Sequence, residues 1–422
     1  MKSAFLVLAL LPAAVLAADT GLPPAQQALF DTERAFVRLA AEKGFRDSFY
    51  AYFADDGIAF NPHPFRVRTA LAGQPSSPGP MGATWAPVYG DISAAGDLGW
   101  DTGPLLFEGR NGAPPRHGMF FSVWKRQADG SFKVVLDVGG DTPAAVVPMS
   151  EPAHSSWRAG AAPPTGIDVT EAKARLLGVE REFLATAGTE SLGRAYGSRL
   201  SDEARVHRPD AMPVVGRDAL GEWANTQNIQ ARGEPLFADV SASGDLGYAW
   251  GSYEKSGEVP EAGYYARVWK KDARGDWHIV MDTVSPVPAG VKPLTAELMQ
   301  AETPYLEGRW AEAESAYRQY VESNPGNAFA WNRLGTSQVQ QKKYGDAVKS
   351  LERAIEIGGG APVDFYNLAC AYALSGAPDN ALDNIERAIA AGFKRRAQYE
   401  TDPDLASLRS LPRFQALMQP LQ

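Results

Sequence analysis

Arg205 and His207 are the residues whose types and spacing point most directly to chemistry. They stand two apart in Ala204-Arg205-Val206-His207-Arg208, so on a strand both side chains leave from one face. Facing an apolar cavity, His207 would be kept neutral at pH 7 by desolvation and would suit a general base. Arg205 would then hold a carboxylate or enolate oxygen in a bidentate grip. Facing the other way, Val206 is the core residue and the polar pair is merely solvated. At the matching places earlier in the chain stand Ile58 and Phe60, which in the inward orientation line a greasy pocket. Trp250, Tyr265 and Asp282 complete the candidate pocket set. Tyr264 and Tyr265 are adjacent on a strand and point opposite ways, so one of the two enters. Asp282 repeats at Asp137, and an Asp at a strand end reads first as a cap for a neighbouring loop.

Other chemistries are excluded. His63, His117, His154, His207 and His278 show no spacing such as H-E-x-x-H, so no metal site is expected. Neither a glycine-rich phosphate loop nor a G-x-S-x-G elbow is present, and no cofactor is implied.

The elements that must position these residues occur twice. Ala94-Ala95-Gly96-Asp97-Leu98-Gly99-Trp100 is answered by Ala242-Ser243-Gly244-Asp245-Leu246-Gly247-Tyr248. Phe36 and Phe183, Asp55 and Asp202, and Pro62 and Pro209 are each 147 residues apart, while Trp124 and Trp269 are 145 apart. In the first copy Leu22-Pro23-Pro24 opens a helix whose face is Ala25, Leu29, Phe36 and Leu39, and a second helical stretch runs over 45–53. A short strand at 58–61 and a Gly- and Pro-rich loop at 73–82 follow. Two hairpins come next, 88–94 with 98–107 and 118–125 with 132–138, turning at Gly96-Asp97 and Ala128-Asp129-Gly130. In the second copy Asp168-Val169-Thr170-Glu171 predicts a capping box. Helices first and antiparallel strands afterwards give an α+β class. The expected domains are 24–148 and 169–289, joined by a Pro-, Ala- and Ser-rich linker over 149–168.

Each copy ends in Trp-Lys-x-x-x-x-Gly-x-aromatic-x-x-Val-x-Asp, read in Trp124 to Asp137 and again in Trp269 to Asp282. With the helices before it, this pattern resembles the nuclear transport factor 2-like superfamily, in its ketosteroid-isomerase-like and polyketide-cyclase-like branches. The resemblance implies cone-shaped domains whose curved antiparallel sheet wraps a mostly apolar pocket, and which pair through their sheets, a homodimer being one outcome. A ketosteroid isomerase would need an inward Asp base with a Tyr and a protonated acid as oxyanion donors, and no motif places those three here.

From residue 294 the chain takes a period of 34: Ala313, Ala347 and Ala381, then Tyr317, Leu351 and Ile385, then Tyr320, Ala354 and Ala388. Trp331 to Gly335 is matched by Phe365 to Ala369. This resembles the tetratricopeptide repeat, with Gly358-Gly359-Gly360 in place of the usual proline turn, so 294–422 is expected to be an all-α solenoid. Leu405, Leu408, Leu411, Phe414 and Leu417 predict a last helix capping the stack. Carried onto this chain, the resemblance implies Asn332, Thr336, Tyr366 and Cys370 as contacts to a protein or peptide partner on the concave face.

Lys2, the apolar run Ala4 to Leu16, and Val15 with Ala17 read as a signal peptide over 1–17, too short to span a bilayer, so a periplasmic or secreted protein is expected. A net charge of -9 leaves no basic field for nucleic acid or an anionic membrane. The sequence therefore leaves three functions open: an exported protein with pockets for an apolar small molecule and a partner-binding tail, an isomerase-, cyclase- or hydratase-type enzyme using His207, or a scaffold without ligand.

Overall fold

The computed structural model describes residues 22–72, 74, 76, 79, 81–109, 113–149, 154–155, 166–257 and 259–421. The expected signal segment lies outside them, as does most of the expected linker.

The first copy begins with α1 (Pro24–Tyr52), which bends at Gly44, where φ is 77°. β1 (Phe53–Phe60), β2 (Pro64–Arg66), α2 (Val67–Ala72), β3 (Ala83–Trp85), β4 (Tyr89–Ile92), β5 (Leu98–Phe107), β6 (Arg116–Arg126), β7 (Phe132–Thr142) and β8 (His154–Ser155) follow. The first strand therefore starts five residues before the expected Ile58. The sheet order is β2-β1-β7-β6-β5-β4-β8, with β3 also on β5. The second copy repeats the scheme with α3 (Val169–Thr189), α4 (Leu192–Arg199), β9 (Leu200–Val206), β10 (Val214–Val215), α5 (Arg217–Thr226), β11 (Ala231–Val240), β12 (Leu246–Lys255), β13 (Glu261–Lys271) and β14 (Trp277–Pro286), in the order β10-β9-β14-β13-β12-β11. Asp168 caps α3 by accepting from the Thr170 and Glu171 amides. Glu171 pairs instead with Arg175 at 2.6 Å, so the cap is half of the expected box.

In each copy one sheet face wraps the helices. Leu29, Phe30, Phe36, Trp85, Phe120 and Trp124 form the first interior, and Leu176, Phe183, Tyr196, Tyr265, Trp269 and Ile279 the second. The opposite faces pack on each other, joining Leu98, Trp100, Phe121 and Val123 to Leu246, Tyr248, Tyr264 and Val268 in one core. The outer faces of the two sheets are thus used within one chain. Its polar contacts are reciprocal: Lys125 Nζ donates to Asp239 at 2.6 Å and Lys270 Nζ to Asp91 at 2.5 Å. The Ala94 amide donates to Asp245 (3.0 Å) and the Ala242 amide to Asp97 (2.9 Å). A contact in which residue i meets j and j meets i marks a two-fold relation, here a pseudo-two-fold made by the duplicated turns.

The tail stacks α6 (Ala296–Leu306) on α7 (Trp310–Ser323), α8 (Ala328–Gln340) on α9 (Tyr344–Gly358), and α10 (Pro362–Leu374) on α11 (Pro378–Ala390). Ala313, Ala347 and Ala381 are fully buried, as are Tyr317, Leu351 and Ile385. Gly335 brings α8 close to α9, since a Cβ there would lie 2.6 Å from the Leu351 side chain. The expected single last helix is instead α12 (Arg396–Thr401), a 3-10 segment (Pro403–Leu408) and α13 (Pro412–Met418). The prolines at the start of the last two pieces break the run, because proline lacks the N–H that a helix interior needs. Among the described residues no helix is long and apolar enough to cross a membrane.

Candidate functional site

Both interiors are built around one carboxylate from the first helix. In the second cone Glu180, fully buried on α3, accepts from Trp269 Nε1 at 2.5 Å and from Arg267 at 3.0 Å. Arg267 also donates through Nε to Asp282, which takes further hydrogen bonds from Tyr196 (3.0 Å) and Arg208 (2.6 Å). The Arg267 guanidinium lies between the rings of Phe183 (4.1 Å) and Tyr265 (4.2 Å). Burial alone would raise the Asp282 carboxyl, yet Arg208 and Arg267 outweigh it and hold the group below its ordinary value. This interior is filled and neutralised by its own side chains.

The first cone keeps the acids and lacks the cation. Glu33 on α1 and Asp101 on β5 are fully buried. Glu33 accepts from Trp85 Nε1 (2.5 Å) and Trp124 Nε1 (3.1 Å), and Trp124 Nε1 also reaches Asp101 at 3.2 Å. Asp101 and Glu33 also hydrogen-bond each other, carboxyl to carboxylate, so the pair shares a proton. Asp137, partly exposed on β7, accepts from Ser122 Oγ at 2.8 Å. Among the described residues no Lys, Arg or His is paired with any of the three. Burial pushes Glu33 up to about 8, Asp101 well above its usual range and Asp137 up to about 6, with mutual repulsion adding to the first two. At neutral pH the cluster holds protons where the second cone holds guanidinium groups.

The residues singled out from the sequence divide by face. Tyr265 and Asp282 lie inside the second cone. Ile58, Phe60 and Trp250 do not line a cone pocket: Phe60 packs on Tyr264 (5.2 Å) and Trp250 (5.7 Å) between the domains. The reason is strand parity, since Ala59 and Val206 take the inward positions. Arg205 and His207 share the outward face, and what they meet is the first copy, neither a cone cavity nor bulk water. Arg205 lies over the Tyr89 ring at 3.7 Å. His207 borders a void of about 10 Å³ together with Met119, Val138, Thr142 and Val284. That is room for about one water. Burial, then Arg205 and Arg208, push the His207 imidazole down to about 3.

In the tail, Asn332 donates to Asp364 (2.7 Å) and accepts from Asn367 (3.2 Å), tying α8 to α10, while Thr336 hydrogen-bonds the backbone of its own helix. Tyr366 and Cys370 are not free to meet a partner: the C-terminal segment covers them with Tyr399, Leu405 and Leu408, and the Tyr366 hydroxyl donates to Asp402. Burial, then Asp402 and Asp404, raise the Cys370 thiol. An open groove of about 690 Å³ lies over α10 between α9 and α11, lined by Lys349, Glu352, Arg353, Tyr372, Asp383 and Arg387.

The family description of the tetratricopeptide repeat matches residues 330–357, the span of α8 and α9. The tail is a tetratricopeptide-repeat stack. The peroxisomal targeting signal receptor of Yarrowia lipolytica is 35% identical over 86 residues, 20% of this chain and 14% of that receptor's length. A crystal structure of MamA is 19% identical, covering 29% of this chain and 75% of that one, with a TM-score of 0.25. A ketosteroid isomerase-like protein from Erwinia carotovora atroseptica is 18% identical, covering 28% of this chain and 98% of that one, with a TM-score of 0.24.

Sequence reasoning missed Glu33, Asp101, Ser122 and Arg267. Two signals were available. Glu33 and Glu180 are 147 residues apart on otherwise apolar helix faces, and Arg267 interrupts the run Tyr264-Tyr265-Ala266-Arg267-Val268-Trp269.

Proposed function

We propose that this chain is an exported protein that binds a small molecule in its first cone and recruits a protein or peptide through its repeat tail. The observation that carries the reading is the contrast between the two interiors. The second cone satisfies Glu180 and Asp282 with Arg267, while the first leaves Glu33, Asp101 and Asp137 without a cation. An acid cluster in a cone interior that no internal cation neutralises is costly to ionise and is a candidate functional site. Export is supported by the charged start and short apolar run of residues 1–17. Recruitment is supported by the open groove between α9 and α11, whose mixed charges suit a polar peptide. An enzymatic role for His207 and Arg205 finds little support in a void that holds one water and an imidazole pushed down to about 3.

Native mass spectrometry of the mature chain tests the first part. A mass adduct that leaves on denaturation, and is absent from a Gly139→Trp variant built to block the first cone, is the expected result. Bare protein from several expression hosts would instead favour a scaffold without ligand. For the tail, a photo-cross-linker at Lys349 is expected to capture a partner that one at the remote Arg175 does not.

A further inference from the structure

The two cones can be aligned residue by residue from their strand pairing. Ser122 pairs with Asp137 across β6 and β7, and Arg267 pairs with Asp282 across β13 and β14. Ser122 therefore stands where Arg267 stands. On the neighbouring strands Asp101 pairs with Ser122 and Ala249 with Arg267, so the first cone has gained an acid beside the arginine it lacks. The other partners of Asp282 are missing as well. Tyr196 and Arg208 lie 147 residues after Phe49 and Asn61, neither of which supplies a matching hydrogen bond to Asp137.

The surroundings of the missing guanidinium are retained. Phe183 and Tyr265, which enclose Arg267, correspond to Phe36 and Phe120, both buried in the first interior. Aromatic faces favour a cation over a neutral group, most strongly where water is excluded. Trp85, in the strand position of Gly233, donates to Glu33 in place of the arginine. The lost hydrogen bond is thereby replaced, and the lost positive charge is not.

The first cone is also less covered than the second along one strand. Gly139 pairs with Phe120 as Val284 pairs with Tyr265. Val284 is buried in the second cone, whereas Gly139 is exposed, and a Cβ built on it would come no nearer than 3.7 Å to Leu105. Two residues earlier on the strand lies the partly exposed Asp137.

We propose that the first cone binds a cationic small molecule, whose guanidinium, amidine or amine head sits among Glu33, Asp101 and Asp137 against Phe36 and Phe120, where the second cone carries Arg267. The inference rests on the reading that the first cone holds a ligand and adds its chemical class. Without a ligand the carboxyls hold protons, and an entering cation would displace them to solvent, so that charge is conserved inside the cone.

The test is isothermal titration of the full mature chain with benzamidine and, as its neutral isostere, benzamide. Benzamidine is expected to bind with release of protons near pH 7, read as a dependence of the heat on buffer ionisation enthalpy, and benzamide is not. Ser122→Arg installs the second cone's own cation and is expected to abolish binding while raising Tm. Ser122→Ala is expected to retain binding. Asp137→Asn is expected to weaken it at least about tenfold, as a charge-assisted contact is lost. If Ser122→Arg fails to fold, the isostere comparison and the proton release still decide. Equal binding of both probes, or of benzamide alone, would overturn the cation assignment and leave the small-molecule reading standing. If neither probe binds while native mass spectrometry still shows an adduct, the cation assignment falls alone. If neither binds and the spectrum shows bare protein, both readings fall.

Discussion

The Tyr264 hydroxyl shares a 2.8 Å hydrogen bond with His63 Nδ1 while accepting from the Leu294 amide at 2.8 Å. One phenol thus joins the first cone, the second cone and the approach to the tail. The His63 ring also packs edge-on against Phe329 of α8 at 4.8 Å. Arg66 with Glu307 at 2.7 Å, and the Ala296 amide with Glu234 at 2.9 Å, reinforce the junction.

Tyr264→Phe removes the shared hydroxyl and leaves the buried Leu294 amide and the half-buried His63 ring nitrogen unpaired. It is expected to cost about 1–3 kcal/mol in urea unfolding. It should also increase proteolysis between the second cone and α6. Unchanged stability with unchanged cleavage would show that the junction does not depend on this contact.

Burial, assisted by the Arg333 charge, pushes His63 down to about 4. A base with a depressed folded pKa binds fewer protons folded than unfolded between its two values, so its contribution is lost as pH falls from about 6.5 toward 4. The His63 imidazole is expected to show neutral-ring NMR shifts at pH 5. His63→Gln should show a shallower loss of Tm over that interval.

Glu33 reverses the sign. Its folded pKa of about 8 lies above the unfolded value of 4.5, so the folded state holds the extra proton and stability falls as pH rises between the two. Asp137 adds to the same trend up to about 6. Glu33→Gln, which stays neutral, is expected to flatten the decline of Tm between pH 5 and 8. An identical slope in the variant would show that Glu33 is ionised throughout.

Arg267→Met strands Glu180 and Asp282 beside each other without their shared cation. Removing one partner of a buried ionic network typically costs about 3–5 kcal/mol. Ser122→Ala in the first cone should cost no more than about 1 kcal/mol, the worth of one hydrogen bond. Calorimetry of the two variants measures the difference.

Cys370 is the chain's single cysteine, which makes it a clean reporter of the C-terminal cover. Leu405 is fully buried against α10 in the same cluster. Leu405→Asp is expected to expose the thiol, and labelling by an aromatic disulfide reagent should accelerate well beyond the wild-type rate. Equal rates would mean that the segment does not shield it.

The duplication, the α+β class and the helical-repeat tail were legible in the sequence because each is written in local order. Repeated turns, period-2 strands and a period of 34 residues need no knowledge of what lies across the fold. The pairing of Ser93 to Asp97 with its copy at Ser241 to Asp245 was visible as a repeat, but not as a contact. The orientation of Arg205 and His207 was open for the same reason: strand alternation fixes that they share a face, and only the packing of one sheet on the other decides what that face meets. Tyr366 and Cys370 were placed on the right helix, yet a segment some thirty residues later covers them. The 145-residue offset sets Ser122 against Arg267 in the sequence, but which buried acids each of them faces is decided only by the tertiary structure. Charge compensation inside a protein is set by which groups are brought within a few ångströms in a medium that screens poorly, and no local pattern in the chain encodes that distance.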